Sequence, residues 1–350
     1  MPTVVQFAAP HQVALVREGT QPLRPGTVRI STLHSGISAG TELTAYRGTN
    51  PLLDHTWDPV GRLFSTAPSP FAYPVTGWGY SEVGRVTEVS SDVEKPHVGE
   101  VVWGIWGHRS EAVLRADQLV SHEVPPDLST LVGVFGRVGA VALNAVLAAD
   151  IRLGEHVAVF GQGVIGLLAT RLAVLSGAQV TALDTQQPRL DAATAMGAHA
   201  TLNPAELGPD GSAHALRQEN NRRGIDVAIE LSGTYRALHE AIRGVGQGGT
   251  VIAAGFYQGG GSGLRLGEEF HHNRVHLVAS QIGGVPAGLA PRWNTERVHL
   301  TFMGQVFAKK VDPVPLVTHR FPAAEVSAAF DLLDQGAETL QVVLDFDESE

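Results

Sequence analysis

The chain has 350 residues, 40 glycines, 15 histidines, no cysteine and a formal charge of −10. Its length exceeds what one hydrophobic core usually spans, so two domains are expected. The acidic balance leaves no basic footprint for nucleic acid, the lack of thiols excludes disulfides and thiolate metal ligands, and neither a basic-then-apolar leader nor an uninterrupted apolar run of about 18 residues points to secretion or a membrane span.

The first 125 residues read as β-rich. Gly26–Leu33, Gly84–Val89 and Glu100–Trp103 carry alternating or β-branched residues between clusters of Gly, Pro and Ser. The stretch Thr49–Pro74 holds five prolines and shows no clear period, the composition of a long functional loop. After Pro125-Pro126-Asp127 comes a small-residue helical run, Leu131–Ala148.

From Gly154 strands and helices alternate. Val157–Phe160 is an expected strand and Val164–Ser176 a helix stopped by Gly177. Val180–Leu183 follows as strand, and Pro188–Met196 as a helix with proline in its first turn. Then come strand Ile225–Leu231, helix Tyr235–Val245, strand Thr250–Gly255 and strand Val275–Ser280. This alternation predicts a parallel sheet with ligands at the carboxyl ends of its strands. From Pro286 onward two helical runs precede a final apolar run, Leu340–Phe346.

Between the first of these strands and its helix stands Gly161-Gln162-Gly163-Val164-Ile165-Gly166. The first glycine suits a tight turn, the second the close approach of backbone to a pyrophosphate, and the third close packing of helix on strand. The helix N-terminus offers free N–H groups and the positive end of a dipole. Asp184 ends the next strand, about 20 residues on, where a carboxylate binds the ribose 2′-hydroxyl of NAD. A 2′-phosphate would meet a like charge there. Arg189 would soften that repulsion if it faced the ligand; the other reading of Arg189 is a solvated helix face. NAD is the expected cofactor, with NADP the alternative. The topology brings Ser232-Gly233 and Gly255-Phe256-Tyr257 to the same crevice.

The order of parts resembles the medium-chain dehydrogenase/reductase superfamily of zinc-type alcohol dehydrogenase-like proteins. The resemblance rests on Gly36–Glu42, Gly79–Val86, Gly99–Val102, Ala142–Val146 and the Gly161–Gly166 fingerprint. It implies an α/β fold in which a doubly wound Rossmann domain is inserted in a β-rich, GroES-like catalytic domain. The expected bounds are 1–125 for the first catalytic part, 126–285 for the dinucleotide domain and 286–350 for the return. A small-molecule substrate and a homodimer are expected by the same analogy, and the absence of cysteine fits a cytoplasmic location.

The departures from the family pattern concern its metal. Where zinc-dependent members carry a cysteine, this chain has Ser38 in Ser35-Gly36-Ile37-Ser38-Ala39-Gly40-Thr41-Glu42. Where they carry Gly-His-Glu, it has Gly79-Tyr80-Ser81, and the third ligand position falls near Gly136-Arg137. The structural zinc lobe between Val102 and Val113 is missing as well. No H-E-x-x-H or H-x-H pattern supplies another site, and His271-His272 would point to opposite faces of a strand. The chain therefore resembles a zinc-lacking branch that includes relatives of bacteriochlorophyllide hydroxyethyl dehydrogenase, and no metal is expected.

Hydride transfer from an alcohol leaves alkoxide-like charge that zinc would otherwise stabilise. Hydrogen-bond donors must then act at that oxygen. Tyr80 is the first candidate, as a neutral phenol donating a proton in reduction; as a base it would need a lowered pKa. Thr41 and Ser38 would relay protons, Glu42 would cap or pair with a cation, and Arg137 would orient an anionic group or lower the Tyr80 pKa. Each also suits a structural role: packing for Tyr80, turn chemistry for Ser38 and Thr41, a surface position for Arg137. The expected function is zinc-independent, NAD(P)-dependent hydride transfer between nicotinamide and a secondary alcohol or ketone. Reduction of a conjugated C=C bond, or a non-catalytic nicotinamide sensor, are the alternatives.

Overall fold

In the computed structural model, residues 1–347 are described except 68, 70, 209, 210, 221, 222 and 337. Pro68 and Pro70 of the proline-rich stretch therefore lie outside the described residues. The chain runs through β1 (Thr3–Ala9), β2 (Gln12–Arg17), β3 (Thr27–Ile37), α1 (Ala39–Arg47), α2 (Pro51–Asp54), β4 (Thr56–Asp58), β5 (Leu63–Ser65), β6 (Val75–Thr76), β7 (Glu82–Val89), β8 (Val101–Gly104) and β9 (Glu111–Arg115). It continues through α3 (Gly136–Ala148), β10 (His156–Phe160), α4 (Val164–Leu175), β11 (Gln179–Leu183), α5 (Gln187–Ala195), β12 (Ala200–Leu202), α6 (Gly211–Glu219), β13 (Ile225–Glu230), α7 (Tyr235–Gly244), β14 (Val245–Ala253) and β15 (His276–Ala279). The last elements are α8 (Thr295–Phe307), β16 (Val317–Pro322), α9 (Val326–Asp334) and β17 (Gln341–Asp345).

Two compact units form. One comprises Met1–Arg137 with Asp312–Glu350, the other Val138–Val311. The first unit holds a β2-β1-β6 sheet and a larger sheet ordered β16-β17-β3-β7-β8, with β9 also on β3. The last six residues of β3 and the first three of β7 are buried without a break, whereas the far end of β7 is largely exposed. One core gathers Val5, Phe7, Ile37, Tyr46, Phe330 and Leu344; the Phe7 and Phe330 rings meet edge to face at 5.1 Å. A second gathers Val28, Ile30, Val86, Val102, Trp106 and Leu119 around β3, β7 and β8. The proline-rich stretch contains α2 and the β4–β5 hairpin, which the aperiodic sequence did not announce.

The second unit is a six-stranded sheet ordered β12-β11-β10-β13-β14-β15, parallel throughout. Counted along this unit the order is 3-2-1-4-5-6, the doubly wound arrangement, with its reversal between β10 and β13. The core strands β10, β11 and β13 are almost wholly buried, which explains their continuous apolar runs. β14 begins at Val245, inside the run read as helix, because Gly246, Gly248 and Gly249 hide the strand pattern. β12 and α6 are short or polar and escaped the periodicity reading.

This unit takes in the first of the two C-terminal helical runs, α8, for a steric reason. Gly139 of α3 meets Phe302 of α8 so closely that a Cβ at Gly139 would lie 2.0 Å from the ring. The segment Thr130–Ala148 has the length and mean hydropathy, 1.8, of a membrane span, but 72% of it is buried, as befits a core helix.

Candidate functional site

In the second unit the site begins where β10 ends. Gly161 turns the chain at φ +86°, and its N–H donates to the Leu183 carbonyl at 2.8 Å. A Cβ at Gly161 would lie 2.7 Å from the Ser232 nitrogen, and one at Gly166 only 1.8 Å from the Gly161 oxygen. A Cβ at Gly163 would meet nothing within 4 Å: that side of the loop is open. Gly163, the N-cap of α4, has no side chain to satisfy the first N–H groups of the helix. The cradle fits a pyrophosphate on these observations.

Gln162 plays a different part from its neighbours. Its side chain is fully buried, donating to the Val159 carbonyl at 2.8 Å and accepting from Thr170 at 2.9 Å. It braces the loop from beneath, and its backbone N–H donates to Asp184 Oδ2 at 2.7 Å. Val164 and Ile165 open α4. Asp184 Oδ1 accepts from the Gln186 N–H at 3.0 Å. Each carboxylate oxygen keeps lone-pair capacity for a ribose hydroxyl.

A cavity of about 370 Å³ adjoins this loop, lined by Gly161, Gly163, Asp184, Arg189, Ser232 and Arg236, among others. Arg189 is partly buried, with Nη1 3.8 Å from Asp184 Oδ2, and faces the cavity rather than solvent alone. Ser232 is held by Glu230, whose Oε1 accepts its N–H at 2.8 Å and its hydroxyl as well. The other Glu230 oxygen accepts from Tyr257. Burial raises the Glu230 pKa, and these donors oppose the rise. Gly255 and Phe256 pack on the Ser232-Gly233 turn; a Cβ at Gly233 would lie 3.0 Å from the Phe256 oxygen. Sequence reading missed Glu230, though an acid ending an apolar strand was a usable signal.

The first unit carries the other residues. Ser38 joins β3 to α1, and its hydroxyl bonds the Tyr80 phenol instead of capping the helix. Tyr80 donates to Thr41 Oγ1 at 3.2 Å, so it accepts from Ser38. Between Ser38 and Thr41 the contact is a backbone bond, Thr41 N–H to Ser38 carbonyl, 3.2 Å. The phenol therefore bonds both hydroxyls, which do not bond each other.

Burial pushes the Tyr80 pKa above its ordinary value of 10.0, and the nearby Glu42 carboxylate adds to the rise. The bonds to Ser38 and Thr41 and the Arg137 guanidinium pull the other way. Arg137 thus lowers the phenol pKa as expected, but burial outweighs it. Arg137 itself is held below its usual range by burial.

Glu42 is fully buried. Its Oε1 accepts the Ser38 N–H at 3.0 Å, a reach-back of the capping-box kind, and Oε2 lies 2.6 Å from His108 Nε2. His108, Ser35 and Glu82 complete a cluster that sequence reading did not find. His34, by contrast, binds Asp345 at 2.7 Å and Thr130 at 3.0 Å, a structural tie from β3 to β17. His271 and His272 stand in a helical turn with their rings edge to face at 5.5 Å.

The positions that hold catalytic zinc in the resembled family carry a hydroxyl, a phenol and a guanidinium, which do not make a zinc donor set. Among the described residues no three His, Asp or Glu side chains converge as a metal site. Glu82 reaches His108 only through the Ser35 hydroxyl.

Comparison with known proteins agrees with the fold. Residues 164–295 match the family model described as zinc-binding dehydrogenase. D-guloside 3-dehydrogenase of Shigella flexneri is 31% identical over 300 residues, covering 84% of this chain and 85% of that protein. Galactitol-1-phosphate dehydrogenase from Escherichia coli superposes with a TM-score of 0.78 at 19% identity, over 98% of this chain and 99% of that one. A short chain alcohol dehydrogenase from Escherichia coli CFT073, solved with NADH, gives 0.77 at 19% identity over 99% of both chains.

Proposed function

Since the chain belongs to the medium-chain dehydrogenase/reductase superfamily of zinc-type alcohol dehydrogenase-like proteins, we propose that it moves hydride between NAD(H) and a secondary alcohol or ketone without zinc, with Tyr80 as the proton donor and acceptor. Bound NAD(H) would supply or take the hydride at nicotinamide C4. The observation that carries the reading is the Tyr80 phenol, hydrogen-bonded to Ser38 and Thr41 and kept un-ionised by burial and by Glu42.

In reduction, hydride arrives at the carbonyl carbon and the oxygen gains an electron pair. The neutral phenol donates its proton to that oxygen, so the product leaves as an alcohol. Once that proton has left, the Thr41 hydroxyl, until then an acceptor, turns to donate to the phenolate, gives up its proton to it and takes one from water on its partly exposed side. Oxidation runs the same path in reverse. A positioned general acid contributes about 10²–10⁴-fold to such a step. The Gly161–Gly166 loop would hold the pyrophosphate and Asp184 the ribose, a placement that favours NAD over NADP.

The 31% relative acts on a guloside, so polyhydroxylated substrates with secondary hydroxyls head the panel. The test is turnover of ketoses, simple ketones and enones with NADH and NADPH, alongside elemental analysis. Ketone reduction by protein with far less than one zinc per chain is expected. Turnover of enones alone, or activity proportional to stoichiometric zinc, would overturn the reading.

A further inference from the structure

Next to the Tyr80 phenol lies a cluster with no part in the chemistry so far. Glu42, His108 and Glu82 are each 0% exposed, and Ser35 with them. Ser35 has one hydroxyl proton and gives it to Glu82 Oε1 at 3.1 Å. Its oxygen therefore accepts from His108 Nδ1, 2.6 Å away. The other ring nitrogen faces Glu42 Oε2 at 2.6 Å. With Glu42 a carboxylate, both ring nitrogens carry protons and the ring is an imidazolium between two acids. The remaining carboxylate oxygens are satisfied as well, Glu42 Oε1 by Ser38 N–H and Glu82 Oε2 by Trp106 N–H at 2.7 Å.

Burying such a group costs several kcal/mol per ion before the pairing returns it, and an apolar filling of equal shape is often no less stable. The cluster's position offers a reason for it. Through Glu42 it holds the backbone of Ser38, whose hydroxyl bonds the phenol. On the other side it touches Gly79, the residue before Tyr80. A Cβ there would lie 2.8 Å from His108 Nε2, so the bare glycine lets the ring rest against the backbone entering Tyr80. The backbone of His108 is itself fixed by bonds to Val5 N–H at 2.8 Å and the Trp78 carbonyl at 3.2 Å.

We infer that His108 is a positioning residue for Tyr80: clamped by Glu42 and, through Ser35, by Glu82, its imidazolium sets the Ser38 and Gly79 backbone on either side of the phenol and offsets the Glu42 charge beside it. This rests on Tyr80 as the proton donor. The charged groups that act on the phenol are Glu42 from α1 and Arg137 from α3; those that act on His108 are Glu42 and Glu82 from β7. Burial alone would lower the His108 pKa, but Glu42 and then Glu82 more than reverse this and raise it above 6.5. At higher pH the ring loses the proton shared with Glu42, and the clamp opens.

Nitrogen-15 NMR of histidine-labelled full-length protein tests this, with His108 identified as the ring missing from His108→Gln. Both ring nitrogens should be protonated at neutral pH, and Glu42→Gln should lower the pH of deprotonation by a unit or more. In the ketone reaction, kcat of the wild type should fall as pH rises through the same value. In Glu42→Gln that limb should move down with the NMR titration. His108→Gln should lower kcat by roughly a hundredfold, the scale of a misplaced catalytic group, with KM nearly unchanged and the limb gone. A neutral His108 at pH 7, or a limb that stays put in Glu42→Gln, would overturn the inference. If His108→Gln does not fold, the position of the kcat limb in the near-isosteric Glu42→Gln still decides the matter. The NMR result holds whatever Tyr80 does, whereas full activity of Tyr80→Phe would remove the underlying reading and leave the His108 titration intact.

Discussion

At the scale of single residues, the two sites use carboxylates in opposite ways. Asp184 lines the cavity and stays an acceptor, with backbone N–H groups of Gln162 and Gln186 on its two oxygens. Asp184→Asn removes the charge that disfavours a 2′-phosphate and weakens the brace under the glycine loop. NADH affinity should fall about tenfold, near 1.4 kcal/mol, and the NADH-over-NADPH preference should shrink or invert; fluorescence titration with both cofactors reads this. Unchanged selectivity would mean Asp184 serves the loop alone. Glu42 and Glu82, by contrast, face inward and act on the phenol and the imidazole. Because the folded Tyr80 pKa is raised, its own loss of donor activity should come only above pH 10.

At the scale of elements, close contacts at glycines position the site. A Cβ at Gly166 would lie 1.8 Å from the Gly161 oxygen, so Gly166→Ala should push α4 off the loop and abolish NADH binding while leaving the first unit's melting transition in place. Gly139→Ala drives a methyl into the Phe302 ring and should cost about 1–3 kcal/mol by overpacking. Phe302→Leu in the same chain should recover part of that in a urea melt, and no recovery would show the contact is not the cause. These elements also explain what sequence reading reaches. The Gly161–Gly166 loop and Asp184 follow local rules of turn and helix start, so they were legible. So were Ser38, Thr41 and Tyr80, through family resemblance. His108 was not: it meets Glu42 across 66 residues and Ser35 across 73, and Ser35 meets Glu82 across 47. Such pairings depend on strand register, which no motif encodes. The glycine-rich start of β14 and edge strand β12 stayed hidden because they lack a period-2 pattern.

At the scale of the whole molecule, the buried cluster ties stability to pH. His108 is held above 6.5 and Glu82 above 4.5, so the fold keeps protons that the unfolded chain releases. Their contribution is full below those unfolded values and declines as pH rises through the folded ones. The wild type should therefore lose stability between neutral and alkaline pH more steeply than Glu42→Gln, in which His108 titrates lower; parallel urea melts across that range check the slope. Saturating NADH should add about 2.7 kcal/mol at a hundredfold excess over Kd. In this reading a tyrosine, and not a metal, handles the proton in a zinc-type dehydrogenase fold. Its most direct test is the ketone-reduction rate of chelator-treated wild type against Tyr80→Phe, with NADH affinity measured on both. Undiminished turnover is expected after chelation, and a fall of about 10²-fold or more in Tyr80→Phe at equal NADH affinity. Activity lost on chelation and restored by zinc, or full turnover in Tyr80→Phe, would contradict it.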